Sequence, residues 1–409
     1  MDLFSCGARA FVHEDRKQIM SEQNPITVGI DIRLIGKERT GDEVVFFQLV
    51  RELIRRHDAD VVYQLFTDET SDDRLAALRL KIEALGRADI EIVSLPTKNR
   101  FVWNFFVLPW QLFRHPVDVF HTQYILPFFL PRQLKVVTHI HDISFRIHPE
   151  WIGRSDHFFL SLLIPRTFRR SDRIITPSKF TRDEIMAAYG VPGERIVVVE
   201  NAAAEEWQQP LAEELAEKTL QKYGLEQGAY FVSSGTLQPR KNIAFLIQMF
   251  KQCQIQHDFP FRLALTGNPA GHNVDPVVDQ TPDPSIVFTG YVSDEELRAL
   301  VSYSWGFIFP SLYEGFGIPI EEALVAGVPV LASDIPVFRE IGKERVSYFN
   351  LRSLAEAAET LYTFSVAGPG NSLDKVARVE NKSPYSWRKS AEKLFHVYQA
   401  LVSSSRHNP

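Results

Sequence analysis

Two adjacent cations, Arg240 and Lys241, precede a predicted helix and could bind an anion. The segment that carries them, residues 235–242, follows a predicted strand, and the N-terminus of a helix is partly positive. Adjacent cations at that end are unfavourable unless an anion joins them, so phosphate is the natural ligand. A solvated Arg-Lys pair ahead of an Asn242 cap explains the local residues equally well.

A second segment places a glycine turn and a helix start directly after a predicted strand at 306–309. Gly315 and Gly317 let the backbone approach a ligand closely, and Pro319 suits the first position of a helix. The backbone N–H groups of residues 316–318 would then point at a phosphate or a sugar oxygen.

Two carboxylates flank this glycine turn, Glu314 in the loop and Glu322 about one turn into the helix. Carboxylates accept hydrogen bonds, so both suit the hydroxyl groups of a ribose or a hexose. Glu322 could instead complement the helix dipole and Glu314 could be a loop charge. Because both glutamates flank the same glycine turn, we favour ligand binding over these alternatives.

A third segment, His139-Ile-His141-Asp142, ends a predicted strand at 135–140. A histidine at the carboxyl end of a strand is well placed to donate a hydrogen bond or share a proton. A histidine capped by Asp142 for structural reasons is the alternative. No cysteine or acidic group lies nearby at metal-ligand spacing, so we do not interpret His139 and His141 as a metal pair.

Alternating strands and helices must position these segments, and they predict parallel sheets covered on both faces. The predicted strands are 26–32, 61–66, 91–95, 117–121, 135–140, 173–176, 195–199, 230–234, 261–266, 286–289, 306–309 and 329–332. The predicted helices include 42–56, 211–223, 242–253, 294–302, 319–326 and 386–401. In such open α/β sheets, ligands bind beyond the carboxyl ends of the strands, where all three segments lie.

The pattern predicts two doubly wound domains in tandem. The predicted boundaries are a disordered tail at 1–24, domains at 25–204 and 205–385, and a last helix and tail at 386–409. The last helix has an apolar stripe of Trp387, Ala391, Leu394, Tyr398 and Leu401. Met20 lies just before the first strand and is an alternative start to Met1.

Composition excludes several classes of protein. The chain has 409 residues, 45% of them hydrophobic and 23% charged, with a net charge of -6, which argues against a general nucleic-acid partner. Two cysteines, Cys6 and Cys253, are too few for a disulfide framework or structural zinc, so a cytoplasmic location fits best. Every apolar run stops well short of the roughly 20 residues that span a bilayer.

The stretch 99–186 is basic and aromatic. It contains twelve Lys or Arg and seven Asp or Glu, a difference of 12 − 7 = +5. We interpret most of it as core. The alternative is a surface that contacts an anionic membrane, with Arg166, Arg169 and Arg170 near the lipid.

Three motifs together resemble the group 1, or family-4 retaining, glycosyltransferases of the GT-B fold. Glu314 and Glu322 match that family's motif of two glutamates separated by seven residues, and segments 235–242 and 290–297 match two further signatures. The resemblance runs from about Thr27 to Leu401. It implies two Rossmann-like α/β domains that face a cleft, the first binding the acceptor and the second the donor, and a last helix that crosses back.

The resemblance also implies a role for each matching residue. Arg240 and Lys241 would neutralise the donor diphosphate, with Glu314 and His141 as the other catalytic candidates. The donor-binding candidates are Thr236, Val292, Gly315, Phe316, Gly317, Ile318, Glu322 and Gly41, with Glu322 on the ribose, Val292 at the base and residues 315–317 at the sugar. Gly41 belongs to a glycine loop in which Thr40 replaces one usual glycine.

The implied reaction moves a hexose from GDP-mannose or a UDP-hexose to a saccharide or lipid-linked acceptor, with retention of configuration, in polysaccharide or glycan synthesis. The leaving phosphate itself would take the acceptor's proton, and no cofactor or metal is expected. Asp58-Ala-Asp60 is interpreted as a solvated turn at a helix end rather than a metal site. The protein would act in the cytoplasm or on the inner face of the membrane.

Other functions remain open. A nucleotide-sugar epimerase of the same fold would need no acceptor, and a sugar-nucleotide-binding subunit would keep the site without using it. A dehydrogenase is disfavoured, because the loop 33–41 lacks the spaced glycines of a dinucleotide site. The segment 341–353 is shorter than the usual family loop and predicts a changed loop geometry.

Overall fold

A computed structural model describes residues 25–37, 41–58, 60–97, 99–236, 238–267, 283–367 and 383–406. Its strands form two sheets, a seven-stranded sheet in the order β3-β2-β1-β4-β5-β6-β7 and a six-stranded sheet in the order β10-β9-β8-β11-β12-β13. Neighbouring strands such as β1 and β2, and β8 and β9, are parallel. Helices connect them, so the predicted α/β class with two Rossmann-like sheets is confirmed.

The strands of the first sheet are β1 Ile26–Asp31, β2 Val61–Thr67, β3 Ile90–Ser94, β4 Val119–Gln123, β5 Lys135–His139, β6 Arg173–Thr176 and β7 Ile196–Val198. Those of the second sheet are β8 Tyr230–Ser234, β9 Arg262–Thr266, β10 Ile286–Gly290, β11 Gly306–Phe309, β12 Val330–Ser333 and β13 Ser347–Phe349. The sequence predicted all of them except β13, which has only three residues and lies within the segment interpreted as a loop.

The α-helices are α1 Gly41–Arg55, α2 Asp72–Lys81, α3 Arg100–Val102, α4 Leu108–Arg114, α5 Ser144–Ile147, α6 Arg154–Arg170, α7 Lys179–Tyr189, α8 Glu213–Tyr223, α9 Ile243–Gln256, α10 Asp294–Ser302, α11 Ile318–Val325, α12 Pro336–Gly342, α13 Leu354–Val366 and α14 Trp387–Arg406. A π-helical turn, Trp103–Val107, joins α3 to α4. Short 3-10 turns lie at Pro149–Trp151, Gly193–Arg195, Glu205–Gln208, Pro239–Lys241 and Lys343–Arg345.

The chain divides into two compact units. The first comprises the residues up to Thr122, Pro127–Val137 and those from Phe395 onward, and the second comprises Gln123–Leu126 and Thr138–Leu394. The tail predicted at 1–24 lies outside the described residues.

In the second unit, successive side chains of β8 alternate between two apolar clusters. Tyr230 and Val232 belong to one cluster, and Phe231 belongs to the other. Since neighbouring side chains of a strand point to opposite faces, this sheet is covered on both sides. A ligand must then bind at the strand ends, and in open α/β sheets it binds at the carboxyl ends.

The last helix, α14, returns to the first unit as predicted. Within that unit, the Tyr398 hydroxyl lies 2.6 Å from His121 Nδ1, and the Arg56 guanidinium lies 4.4 Å from the centre of the Phe395 ring. All five residues of the predicted apolar stripe are buried.

The core interpretation of the stretch 99–186 is only partly right. Trp103, Leu108, Ile164 and Phe168 are buried, but ten of the eighteen large apolar side chains that are exposed among the described residues belong to this stretch. No described helix is both long enough and apolar enough to cross a membrane.

Candidate active site

Three glycines bring the carboxyl ends of β8, β9 and β10 close together in the second unit. Gly235 N–H donates to Thr266 O at 3.1 Å, and Gly267 N–H donates to Gly290 O at 2.9 Å. A Cβ on Gly267, whose φ is +131°, would lie 2.0 Å from Gly235 O, so no other residue fits there. The sequence does not single out Gly267, because a glycine directly after a strand is common in ordinary loops.

The loop after β8 carries Arg240 and Lys241 in the 3-10 turn that precedes α9. Asn242 adopts the left-handed conformation, with φ of +55°, and its side-chain amide donates to Pro310 O at 3.3 Å. Arg240 O accepts a hydrogen bond from Leu312 N–H at 2.8 Å. The cation loop is therefore fixed against the loop after β11, although some seventy residues separate them.

Glu314 joins the two halves of the predicted site. One carboxylate oxygen accepts from Arg240 Nη1 at 2.9 Å, and the other accepts from Lys241 Nζ and from Ser311 Oγ, the latter at 2.9 Å. Glu314 and Lys241 are both buried, and about a quarter of the Arg240 side chain is exposed. The structure thus brings three of the four catalytic candidates into one ionic cluster.

Opposing effects set the ionisation of this cluster. Burial raises the pKa of Glu314, but the charges of Lys241 and Arg240 and the hydrogen bonds from Lys241 and Ser311 outweigh burial and lower it to about 2. Burial lowers the pKa of Lys241, and the charge of Glu314 works against that decrease. Glu314 is therefore a fixed anion that holds two cations.

The lowered pKa of Glu314 makes a prediction about stability. Because the folded-state pKa lies below the ordinary value near 4.5, ionised Glu314 stabilises the fold fully above about pH 4.5, and this contribution is lost as the pH falls towards 2. The difference in unfolding free energy between the wild type and Glu314→Gln should stay constant from about pH 7 to 5.5 and shrink below 4.5, by up to about 1.4 kcal/mol per pH unit.

Urea unfolding between about pH 7 and 3.5 measures this difference. Glu295→Gln, at an exposed position on α10, is the control and should show little change at any pH. A difference for Glu314→Gln that stays constant down to pH 3.5 would contradict the linkage.

The glycine turn continues into α11, as predicted. Gly317 has φ of +107°, and a Cβ there would lie 2.9 Å from the Phe338 ring. Phe316 is buried with its ring centre 5.3 Å from that of Tyr385, and Ile318 begins the helix.

Glu322 is buried on α11, next to a second buried carboxylate, Glu321. Glu321 accepts from Arg345 and, at 2.6 Å, from Ser383 Oγ. Those two contacts give Glu321 a structural role. Glu322 stays the predicted ribose-binding residue because it is the glutamate that matches the family motif.

His141 lies in the same compact unit as the glycine turn. A Cβ on Gly315 would lie 1.9 Å from His141 O, so the two backbones are in direct contact. His141 Nε2 lies 2.7 Å from Gln123 Oε1, and the His141 ring stacks on the His139 ring with their centres 4.4 Å apart. Asp142 accepts instead from Ser144 N–H and Oγ, at 2.9 and 2.7 Å, so it caps a turn.

Hydroxyl groups at the start of α7 also hold the glycine turn, and the sequence does not predict these contacts. Gly315 O accepts from Ser178 Oγ at 2.7 Å and from Thr181 Oγ1 at 3.2 Å. Tyr313 OH donates to Glu184, whose pKa is raised by burial. Ser178 also caps α7, because its Oγ accepts from Thr181 N–H at 3.1 Å, and no local sequence pattern signals its long-range contact with Gly315.

The remaining candidates fall in two places. Val292, buried after β10, and Thr236, half-buried after β8, lie in the second unit with the ionic cluster. Gly41 begins α1 in the first unit and is exposed, while its neighbour Thr40 lies outside the described residues. Among the described residues, no three His, Cys, Asp or Glu are grouped so that they could hold a metal ion.

Two Rossmann-like sheets, with an ionic cluster and a glycine turn at the strand ends of the second, define a protein of the GT-B class. Residues 39–206 match the family described as Glycosyltransferase Family 4, and residues 216–360 match Glycosyl transferases group 1. The chain belongs to the group 1 glycosyltransferases.

Curated relatives agree with this family, and a solved structure agrees with the fold. The chain is 33% identical over 220 residues to O-antigen chain mannosyltransferase B of Escherichia coli, covering 52% of this chain and 57% of the relative. It is 29% identical over 211 residues to O-antigen chain mannosyltransferase RfbU of Salmonella typhimurium, covering 52% and 55%. It thus spans little more than half the length of these relatives.

The Anabaena protein HepE, solved in complex with UDP and glucose, superposes with a TM-score of 0.64 at 15% identity, covering 92% of this chain and all of HepE. At this identity the likeness shows the fold alone.

Proposed function

We propose that the chain transfers a mannose-type hexose from a nucleoside-diphosphate sugar to a glycan or lipid-linked acceptor in polysaccharide synthesis. The cluster of Arg240, Lys241 and Glu314 carries this proposal, because two cations held at strand ends are suited to a diphosphate. The two O-antigen mannosyltransferases among the relatives favour GDP-mannose as the donor, with a UDP-hexose as the alternative.

The cations act when the bond between the sugar and the diphosphate breaks. Negative charge then develops on the leaving phosphate, and Arg240 and Lys241 stabilise it from positions fixed before the reaction. They supply the positive charge that a metal ion provides in other transferases, so the reaction proceeds without a metal. Glu322 binds the ribose hydroxyls, and the backbone of residues 315–317 and His141 approach the sugar.

The state of Glu314 supports a retaining reaction, which is the outcome that the family resemblance implies. A carboxylate with a pKa of about 2 is a weak base, and its oxygens are occupied by Arg240, Lys241 and Ser311. In the proposed route, the acceptor's proton passes to the leaving phosphate on the face that the donor bond occupied. The new bond forms on that same face.

Transfer can be tested with the purified protein and a panel of nucleotide sugars. A thermal-shift screen selects the donor, since a ligand at about 100 times its Kd stabilises the fold by about 2.7 kcal/mol. We expect GDP-mannose to give the largest shift and, with a mannose-terminated acceptor, an α-linked product by NMR that is unaffected by EDTA. A β-linked product would exclude retention, donor isomerisation without acceptor would indicate an epimerase, and binding without turnover would indicate a non-catalytic subunit.

A further inference from the structure

Four large aromatic side chains form an exposed patch on the first unit. Phe106 and Trp110 are each 68% exposed, Phe129 is 61% exposed and Phe113 is 56% exposed. We call these four residues the aromatic patch. A contiguous apolar surface of this kind is unusual in a soluble domain and marks a place of contact.

The aromatic patch is built on a rigid frame. Three of its residues lie on the continuous helical segment from α3 through the π-helical turn to α4. The Phe105 ring stacks on Phe128 with centres 3.7 Å apart, and Phe128 N–H donates to Asn104 O at 2.9 Å. These contacts hold the loop that carries Phe129 against the helix, so the patch exists before any partner binds.

The aromatic patch borders an apolar groove of about 540 Å³. Besides the four patch residues, its lining consists of Leu95, Phe105, Val107, Pro109 and Gln111. Among all the lining side chains, only Gln111 and Trp110, through its indole N–H, carry a polar group. The groove therefore offers hydrocarbon contact rather than the polar groups that orient a sugar or a nucleotide.

Positive charge accompanies the aromatic patch. Arg100 and Arg114 begin and end its helical segment, Arg132 follows Phe129 by three residues, and all three arginines are exposed. Asp118 is the only acidic residue between positions 99 and 141, and its carboxylate accepts from Thr27 N–H at 2.8 Å.

We propose that the aromatic patch inserts into the interfacial layer of a bilayer containing anionic lipids, with Arg100, Arg114 and Arg132 contacting the headgroups. Trp and Phe bury apolar area at this depth, and each arginine near an anionic surface adds attraction. A symmetric dimer is disfavoured, because it would pair the patch with itself and bring the arginines of both copies together. Membrane binding itself does not depend on the proposed function. Only its purpose does, which is to bring the protein to a lipid-linked acceptor.

Sedimentation with vesicles tests the proposal without donor or acceptor, so it can fail independently of sugar transfer. The full chain should bind phosphatidylcholine vesicles that contain phosphatidylglycerol, and bind pure phosphatidylcholine far more weakly. Phe106→Ser combined with Trp110→Ser should weaken binding at least about tenfold. Changing Arg100, Arg114 and Arg132 to Gln should remove the preference for anionic lipid. Each charge removed should lower the affinity for anionic vesicles about fivefold.

Leu80→Ser combined with Ile255→Ser is the matched control, because these side chains are 65% and 79% exposed elsewhere. It should bind like the wild type, and circular dichroism should show that every variant folds. Equal binding by the Phe106/Trp110 variant would overturn the proposal. So would binding lost only when Arg166, Arg169 and Arg170 are changed, or a patch-dependent dimer that ignores vesicles.

Discussion

Replacing Arg240 with Met should lower kcat for sugar transfer by about 10²–10³-fold. Its guanidinium is fixed by Glu314 and partly open to solvent, so its charge can stabilise the departing diphosphate. That charge matters most in the transition state, and the loss should therefore fall mainly on kcat rather than KM. Initial rates of nucleoside-diphosphate release at varied donor concentration measure both constants.

Arg339→Met is the matched control for this substitution. Arg339 also pairs with a carboxylate, that of Asp334, at 2.7 and 2.8 Å, but at an exposed position outside the ionic cluster. We expect its transfer rate to stay within about twofold of the wild type, since surface ion pairs contribute little. A rate for Arg240→Met close to that of Arg339→Met would remove Arg240 from the mechanism.

Replacing Lys241 with Met should destabilise the protein by about 3–5 kcal/mol as well as abolish transfer. Lys241 and Glu314 are buried together, so removing one leaves a buried charge with fewer partners. Adding Glu314→Gln removes that residual charge. The double variant should therefore regain much of the lost stability while transfer remains absent.

Urea unfolding and transfer assays on the wild type, both single variants and the double variant separate the two roles of Lys241. Stability that does not recover in the double variant would mean that Lys241 and Glu314 are not energetically coupled. Recovery of transfer together with stability would mean that Lys241 acts only through the fold.

The local parts of the site could be predicted from the sequence, and the contacts between them could not. A strand followed by glycines and a helix start is visible in neighbouring residues, which is why the sequence correctly predicts that Gly315, Gly317 and the cations lie at strand ends. The pairing of Glu314 with Lys241 joins residues 73 positions apart, and only the sheet order brings them together. The contacts of Ser178 and Thr181 with Gly315 span more than 130 positions.

The aromatic stretch shows a different limit. Composition indicates that residues 99–186 are rich in large aromatic side chains, and such side chains usually lie inside a protein. Which side of a short helix faces inward depends on its neighbours, however, and the π-helical turn shifts the positions of the side chains that follow it. Trp103 is therefore buried, whereas Trp110, seven residues later, is exposed.

The enclosure of Gly315 bears on how this protein could be re-engineered. Its carbonyl is held by two hydroxyls of α7, and its Cα faces the carbonyl of His141 without room for a methyl group. A donor loop transplanted from another transferase would meet both neighbours at once. To exchange donor preference by grafting, three segments must therefore be transferred in the same variant. They are the loop after β11, the start of α7 and the end of β5.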